Sequence, residues 1–234
     1  MLALQKAPAR GNPDGRPLHL ENGDRLHSRE FLRRYEAMPE VKKAELVNGM
    51  VFMGSPVRAD VHAAPDSLVQ GWLLTYAAHT PGVTSYANAT LVLDSSNTFQ
   101  PDSLLCLGPA SGGRSYLDPE GYLHGAPELV VEIAASSASL DLTDKLDVYQ
   151  RAGVAEYLVW RTAEREFDWF RLEVEEFRPV QPDAHGILRS ATFPGLDLDV
   201  QALLALNAAK VLATLQRGLK SKAHAKFTRR SAVQ

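Results

Sequence analysis

Glu128-Leu-Val-Val-Glu-Ile-Ala134 is a nearly continuous apolar run that carries one acid, Glu132, in its interior. A run this short and this rich in valine and isoleucine reads as a buried strand. Side chains alternate along a strand, so Glu132 shares a face with Val130 and Ala134. Phe99-Gln-Pro-Asp-Ser-Leu-Leu-Cys-Leu107 has the same character, and alternation sets Asp102 on the face of Leu104 and Cys106. Burying a carboxylate costs on the order of several kcal/mol unless it is protonated, paired or bound to a metal. Two such acids in neighbouring strands point to a shared cation.

Working outward, a helix is predicted from about Leu140 to Ala152, closed by Gly153, and a strand at Glu156–Arg161. Glu166–Glu173 and Glu175–Val180 extend the sheet as antiparallel strands, followed by a short strand at Ile187–Ala191 and a helix from about Val200 to Leu219. Upstream, Asn48-Gly49 between apolar residues is a strong hairpin signal, because a type I′ turn needs positive φ at both positions; Glu45 sits near the start of its first strand. Ser28 is placed to cap a short helix that ends before Pro39. A helix over about 60–79 must begin late or kink at Pro65. Thr84–Leu93 reads as a strand, Asp94–Asn97 as a turn and 108–127 as a long loop. Strands outnumber helices, which gives an α/β class of α+β-like, mixed-sheet character.

The chain is 234 residues long and 45% hydrophobic, enough for one substantial core: a flexible leader over 1–20, a domain over 21–206 and a basic helix or tail over 207–234. No apolar stretch approaches the roughly 20 residues that span a bilayer, so no membrane partner is expected. Met1–Leu20, rich in Pro, Gly and Arg, lacks the apolar core of a secretory signal, which makes the cytoplasm the expected location. The single cysteine, Cys106, cannot form an internal disulfide and reads as a small core residue. After Leu206 come seven basic residues and no acid, which leaves 18 basic against 28 acidic residues in the body. That tail is either a solvated, partly disordered terminus or an arm that contacts phosphates without sequence preference.

Several short pieces occur in a fixed order: Glu45-Leu-Val-Asn-Gly; Ser55-Pro56 with His62 beyond it; Gln100-Pro101-Asp102; and Ala126-Pro127-Glu128-Leu-Val-Val-Glu132. Lys145, Tyr149, Ala152-Gly153-Val and Glu156-Tyr157 follow, and then Phe193-Pro-Gly-Leu-Asp-Leu198. Over about 30–205 the chain thereby resembles the Uma2 family, which is assigned to the restriction-endonuclease-like PD-(D/E)xK superfamily. The resemblance implies a restriction-endonuclease-like core with an N-terminal hairpin extension and flanking helices. It implies a metal-dependent endonuclease acting on DNA. The sequence departs from the parent motif at Ala134, where the lysine would stand, and the family likeness implies that this lysine has migrated to the next helix as Lys145.

Phosphodiester hydrolysis needs a cation to offset charge on the attacked phosphate and to acidify a water. Hard oxygen ligands suit Mg²⁺, or Mn²⁺ in its place, and Asp102, Glu132 and the carbonyl of Ile133 would supply them. Lys145 would orient the water and stabilise developing charge, while Glu45, matching the acid that precedes the superfamily core, would hold a metal-bound water or a second metal. His62 and Tyr149 are candidates for supporting or phosphate contacts. Plain alternatives exist for each residue. Lys145 could pair with Asp141 four residues back, Asp102 could be a turn residue, Glu132 could pair with Arg161, and His62 could simply begin a helix. At the level of the whole chain, the alternatives are a non-catalytic nucleic-acid-binding or interaction protein that keeps the fold, and a substrate other than nucleic acid. A two-fold homodimer would be the simple way to set two sites on two strands.

Overall fold

A computed structural model describes residues 18–231 except Ser55 and Ser136. Residues 1–17 of the expected leader, and the serines at 55 and 136, therefore lie outside the described residues. Leu20 is already buried, packed with Phe31 of α1 (Ser28–Glu36). Ser28 is the first residue of that helix and not its cap: its hydroxyl donates to the carbonyl of Asp94 at 2.6 Å. Asn48 and Gly49 have φ of 48° and 76°, the pair of left-handed residues that closes the hairpin of β1 (Ala44–Val47) and β2 (Met50–Met53).

Two six-stranded mixed sheets follow. The first has the order β2-β1-β5-β4-β8-β7, with β4 at Leu91–Asp94, β5 at Asn97–Phe99, β7 at Tyr116–Leu117 and β8 at Leu123–His124. The second has the order β12-β11-β10-β9-β6-β3. Its strands are β3 (Val83–Ala87), β6 (Ser103–Leu107), β9 (Leu129–Ala134), β10 (Glu156–Arg161), β11 (Glu166–Glu173) and β12 (Glu176–Pro179). β9 runs parallel to β10 and antiparallel to β6. A parallel pair needs a crossover, here α3 (Ala138–Asp141) and α4 (Asp144–Ala152). Every residue of β9 is buried, and alternation divides them cleanly. Leu129, Val131 and Ile133 join Trp72 and Tyr76 of α2 (Ala64–Ala78) and Trp169 of β11 in one core. Val130 and Ala134 join Phe99, Leu104 and the α4 residues Val148 and Tyr149 in a second core. Each large side chain fully buried this way contributes about 1.5–3 kcal/mol. Glu132 belongs to the second face, under α4.

Four expected elements break where tertiary structure demands it. Pro101 cannot donate to a ladder, so the Phe99–Leu107 run divides into β5 and β6, and the chain crosses between the sheets at Gln100-Pro101-Asp102. Asp102 thus lies on the seam, one residue before β6. Thr84–Leu93 divides at Asn88, whose φ is 53°, into β3 and β4 of different sheets. The 140–152 helix divides at Thr143, and Gly153 ends it with φ of 81°. The 200–219 helix divides at Leu206, φ 52°, into α5 (Val200–Leu204) and α6 (Ala208–Leu219), the latter capped by the Asn207 side chain on the Lys210 N–H at 3.0 Å. The long loop of 108–127 supplies β7 and β8, and β14 (Asp197–Asp199), which the sequence does not announce, pairs with β13 (Ile187–Arg189).

The basic tail forms α7 (Lys222–Ser231), held by His224, whose ring lies 3.0 Å from Thr80 Oγ1 and 2.9 Å from the Leu219 carbonyl. Thr80 follows the C-terminus of the 15-residue α2, while His62 precedes its N-terminus. The two ends are separated by about 22 Å of helix. Among the described residues no helix is long and apolar enough to cross a membrane.

Candidate active site

Four elements converge on one cleft of about 720 Å³. The start of the hairpin brings Lys43 and Glu45, the seam brings Asp102, β9 brings Glu132 and Ile133, and α4 brings Lys145. The fifth contribution is a π-helical turn, Ala59–Ala63, that carries His62 and leads into α2; Pro65, lacking an N–H, stands in the first turn of that helix where none is needed. Phe52, Met53, Pro56 and Val57 add apolar surface to the lining of the same cleft.

Lys145 is the centre of the floor. Its Nζ lies 2.8 Å from Glu45 Oε2, 3.0 Å from Glu132 Oε1 and 3.4 Å from Asp141 Oδ1. The Tyr149 hydroxyl, one turn further along α4, donates to the same Glu132 oxygen at 3.1 Å. Glu45 is fixed at its other oxygen, Oε1, by the N–H of Gln100 at 2.8 Å. Asp102 Oδ2 accepts the Ile133 N–H at 2.7 Å, while Lys43 Nζ stands 3.1 Å and His62 Nε2 3.5 Å from its Oδ1. The ordinary Lys145–Asp141 ion pair and the contacts to Glu132 and Glu45 thus exist together. Arg161 does not pair with Glu132; it binds Asp168 at 2.7 Å and Glu166 instead.

Burial and charge pull these groups in different directions. Burial is the largest influence on Glu132 and pushes its carboxyl up to about 8; Lys145 opposes this, and Asp141, Glu45 and Asp102 reinforce it. Burial would also raise Asp102, but His62, Lys43 and the Ile133 N–H together outweigh it and hold that carboxyl at about 2. Burial raises Asp141. On Lys145 burial disfavours the ammonium, yet Glu132, Glu45 and Asp141 outweigh it and hold the group well above its usual range. His62 is raised chiefly by its contact with Asp102. Burial is the first cause for the two carboxyls that rise, and the neighbouring acids add to it. Among the described residues Glu45, Asp102, Glu132 and Asp141 pair with Lys43 and Lys145, with His62 added when protonated.

A divalent cation would favour the ionised carboxylates and displace the proton that burial leaves on Glu132. Asp102, Glu132 and Ile133 all line the cleft, and two carboxylates with a carbonyl suit a hard ion such as Mg²⁺, which keeps several waters. Among the described residues, no group of three or more His, Cys, Asp or Glu is arranged to hold a metal. Burial alone does not mark a site. Glu156 is wholly buried, but its carboxylate accepts from Trp169 Nε1 at 3.2 Å and from the N–H of Ala191 and Thr192 at 2.8 and 3.0 Å, a closed structural arrangement. Lys43 escaped the sequence reading. Its signal was spacing, because it lies two residues before Glu45 and alternation puts both on one face.

A family model, Uma2, described as "Putative restriction endonuclease", matches residues 29–201 of this chain. A solved structure from Anabaena variabilis ATCC 29413, described as "a putative nuclease belonging to DUF820", is similar with a TM-score of 0.56 at 15% sequence identity. The match covers 75% of this chain and 97% of that one. A comparison with curated proteins finds no match.

Proposed function

This chain belongs to the Uma2 family, and on that premise we propose that its cleft hydrolyses phosphodiester bonds in DNA with Mg²⁺ or Mn²⁺. The observation that carries the reading is the convergence of Asp102 and Glu132 on one cleft, with a lysine from the next helix on Glu132 in place of the one missing at Ala134. Asp102, Glu132 and the Ile133 carbonyl would hold the ion. Once bound, the ion would offset charge on the attacked phosphate and acidify a water. The chain's own residues prepare the cleft. Asp102 stays ionised because the Ile133 N–H, Lys43 and His62 surround it, and the Ile133 N–H fixes its orientation. Glu132 tends to keep a proton and gives it up when positive charge arrives. Glu45 is tied at both oxygens, so it anchors Lys145 and steadies the floor.

The engagement of Glu132, Glu45 and Asp141 by Lys145 favours a second reading, a non-catalytic nucleic-acid-binding protein that keeps the fold. Nicking of supercoiled plasmid with Mg²⁺ or Mn²⁺ separates the two. The nuclease reading expects nicking by the parent chain and loss of at least about 100-fold in Asp102→Ala and Glu132→Ala, the scale of removing a preorganised charge from a site. Equal nicking by the parent, those variants and Lys145→Ala would sink it.

A further inference from the structure

Building on the nuclease reading, we propose that Lys43, not Lys145, is the lysine that touches the phosphate being cleaved, and that Lys145 is a positioning residue. An ammonium group has three N–H donors. Lys145 donates to Glu132 at 3.0 Å and pairs with Glu45 at 2.8 Å and Asp141 at 3.4 Å, and its side chain is 3% exposed. The Asp141 contact is an ion pair without a hydrogen bond, and turning the ammonium toward a phosphate oxygen would strand the buried Glu132 and Glu45. Lys43 is the opposite case. Its side chain is 33% exposed, it lines the same cleft, and its one hydrogen bond among the described residues is to Asp102 Oδ1 at 3.1 Å. Two N–H donors remain for a ligand beside Asp102.

The hairpin makes room for this lysine. Gly54 donates its N–H to the Lys43 carbonyl at 3.1 Å, and a Cβ at position 54 would stand 3.3 Å from Lys43 Cβ and 3.6 Å from Cγ. The glycine there serves close approach, since its φ is not left-handed. Lys43 is thereby a compact point charge at the mouth of the cleft, suited to a phosphate oxygen next to Asp102. It acts by donating N–H bonds to developing negative charge, without proton transfer.

The test uses the full chain in EDTA with a fluorescent DNA oligonucleotide, first by acetylation of lysines with an N-hydroxysuccinimide ester read by mass spectrometry. Lys43 is expected to be modified in the free protein and protected several-fold by the oligonucleotide, while Lys145 stays unmodified in both. Modification of Lys145 that DNA suppresses, with Lys43 indifferent to DNA, would overturn the proposal. The salt dependence of oligonucleotide affinity gives a second reading: Lys43→Met should flatten the log–log slope by about 0.7–0.9, Lys43→Arg should restore it, and Lys145→Met should leave it unchanged. The reverse pattern also overturns it. A parent chain that nicks plasmid while Lys43→Met nicks at the parental rate defeats this inference and spares the nuclease reading. A parent that never nicks, yet whose Lys43 is protected by DNA, defeats the nuclease reading and leaves Lys43 as a phosphate contact only.

Discussion

Replacing Lys145 with methionine keeps the aliphatic stem and removes the ammonium, which leaves Glu45, Glu132 and Asp141 facing one another without a cation between them. The three contacts lie at 2.8, 3.0 and 3.4 Å, and both sides of each are almost wholly buried. Breaking a buried pair by deleting one partner costs about 3–5 kcal/mol. In a chain of this size that lowers Tm by roughly 6–20 °C. The loss depends on pH with a definite sign. Burial already raises Glu132 and Asp141, and Lys145 is the group that pulls both back down. Without it they hold protons still more tightly in the folded state than in the unfolded chain. Such a group lends stability below its unfolded pKa and loses it as pH rises toward the folded value, so the variant should be weaker relative to the parent at pH 8 than at pH 5. Adding Glu132→Gln removes one stranded charge and should recover part of the loss. Urea melts followed by tryptophan fluorescence suit the assay, because Trp72 and Trp169 pack edge to face at 6.2 Å inside the main core. A loss below about 1 kcal/mol at pH 8, the scale of an exposed ion pair, would refute the reasoning, as would the same loss at both pH values.

Three further outcomes are expected. Gly49→Ala forces a side chain into φ of 76° with its Cβ 3.3 Å from the Leu26 carbonyl; stability from urea melts should fall by about 1–2 kcal/mol, and an unchanged midpoint would count against the type I′ hairpin. Glu156→Ala strands the Trp169 indole N–H and the N–H groups of Ala191 and Thr192, at about 1–3 kcal/mol for each donor left unpaired. Metal affinity should be untouched, and a weakened metal site in that variant would show that buried carboxylates here cannot be sorted by their hydrogen bonds. The rate of Mg²⁺-dependent nicking should rise from pH 6 to pH 8, since Glu132 sheds its proton in that window while Asp102, held at about 2, stays ionised. A pH profile flat over that range would contradict the assignment of Glu132.

The sequence disclosed what is local. Asn48-Gly49 announced a hairpin because no other short pair satisfies two left-handed positions so readily, and β9, β10 and β11 were legible as apolar or alternating runs between turn residues. The exchange of strands between sheets at Asn88 and at Pro101 was not, because a proline or a left-handed asparagine marks a break in a strand without saying that the chain passes to another sheet there. Leu206 breaks a helix from a left-handed conformation that leucine seldom adopts, and the local mark of that break is the capping residue that follows it, Asn207. In the site, Asp102 and Glu132 stood out because a charge inside an apolar run has no local explanation. The same reasoning passed over Glu156, which sits at the start of its strand, and over Lys43, which in sequence is one of two lysines before a hairpin. Its place at the cleft depends on Gly54 across the hairpin, a relation that only the fold supplies.

The proposed function requires one divalent ion shared by Asp102 and Glu132. Titrating Mn²⁺ into the parent chain and into Glu132→Gln by calorimetry tests it without any substrate. One ion bound per parent chain, with affinity reduced at least about tenfold in the variant (1.4 kcal/mol or more), is the predicted result. No binding by the parent, or equal binding by both, would contradict it.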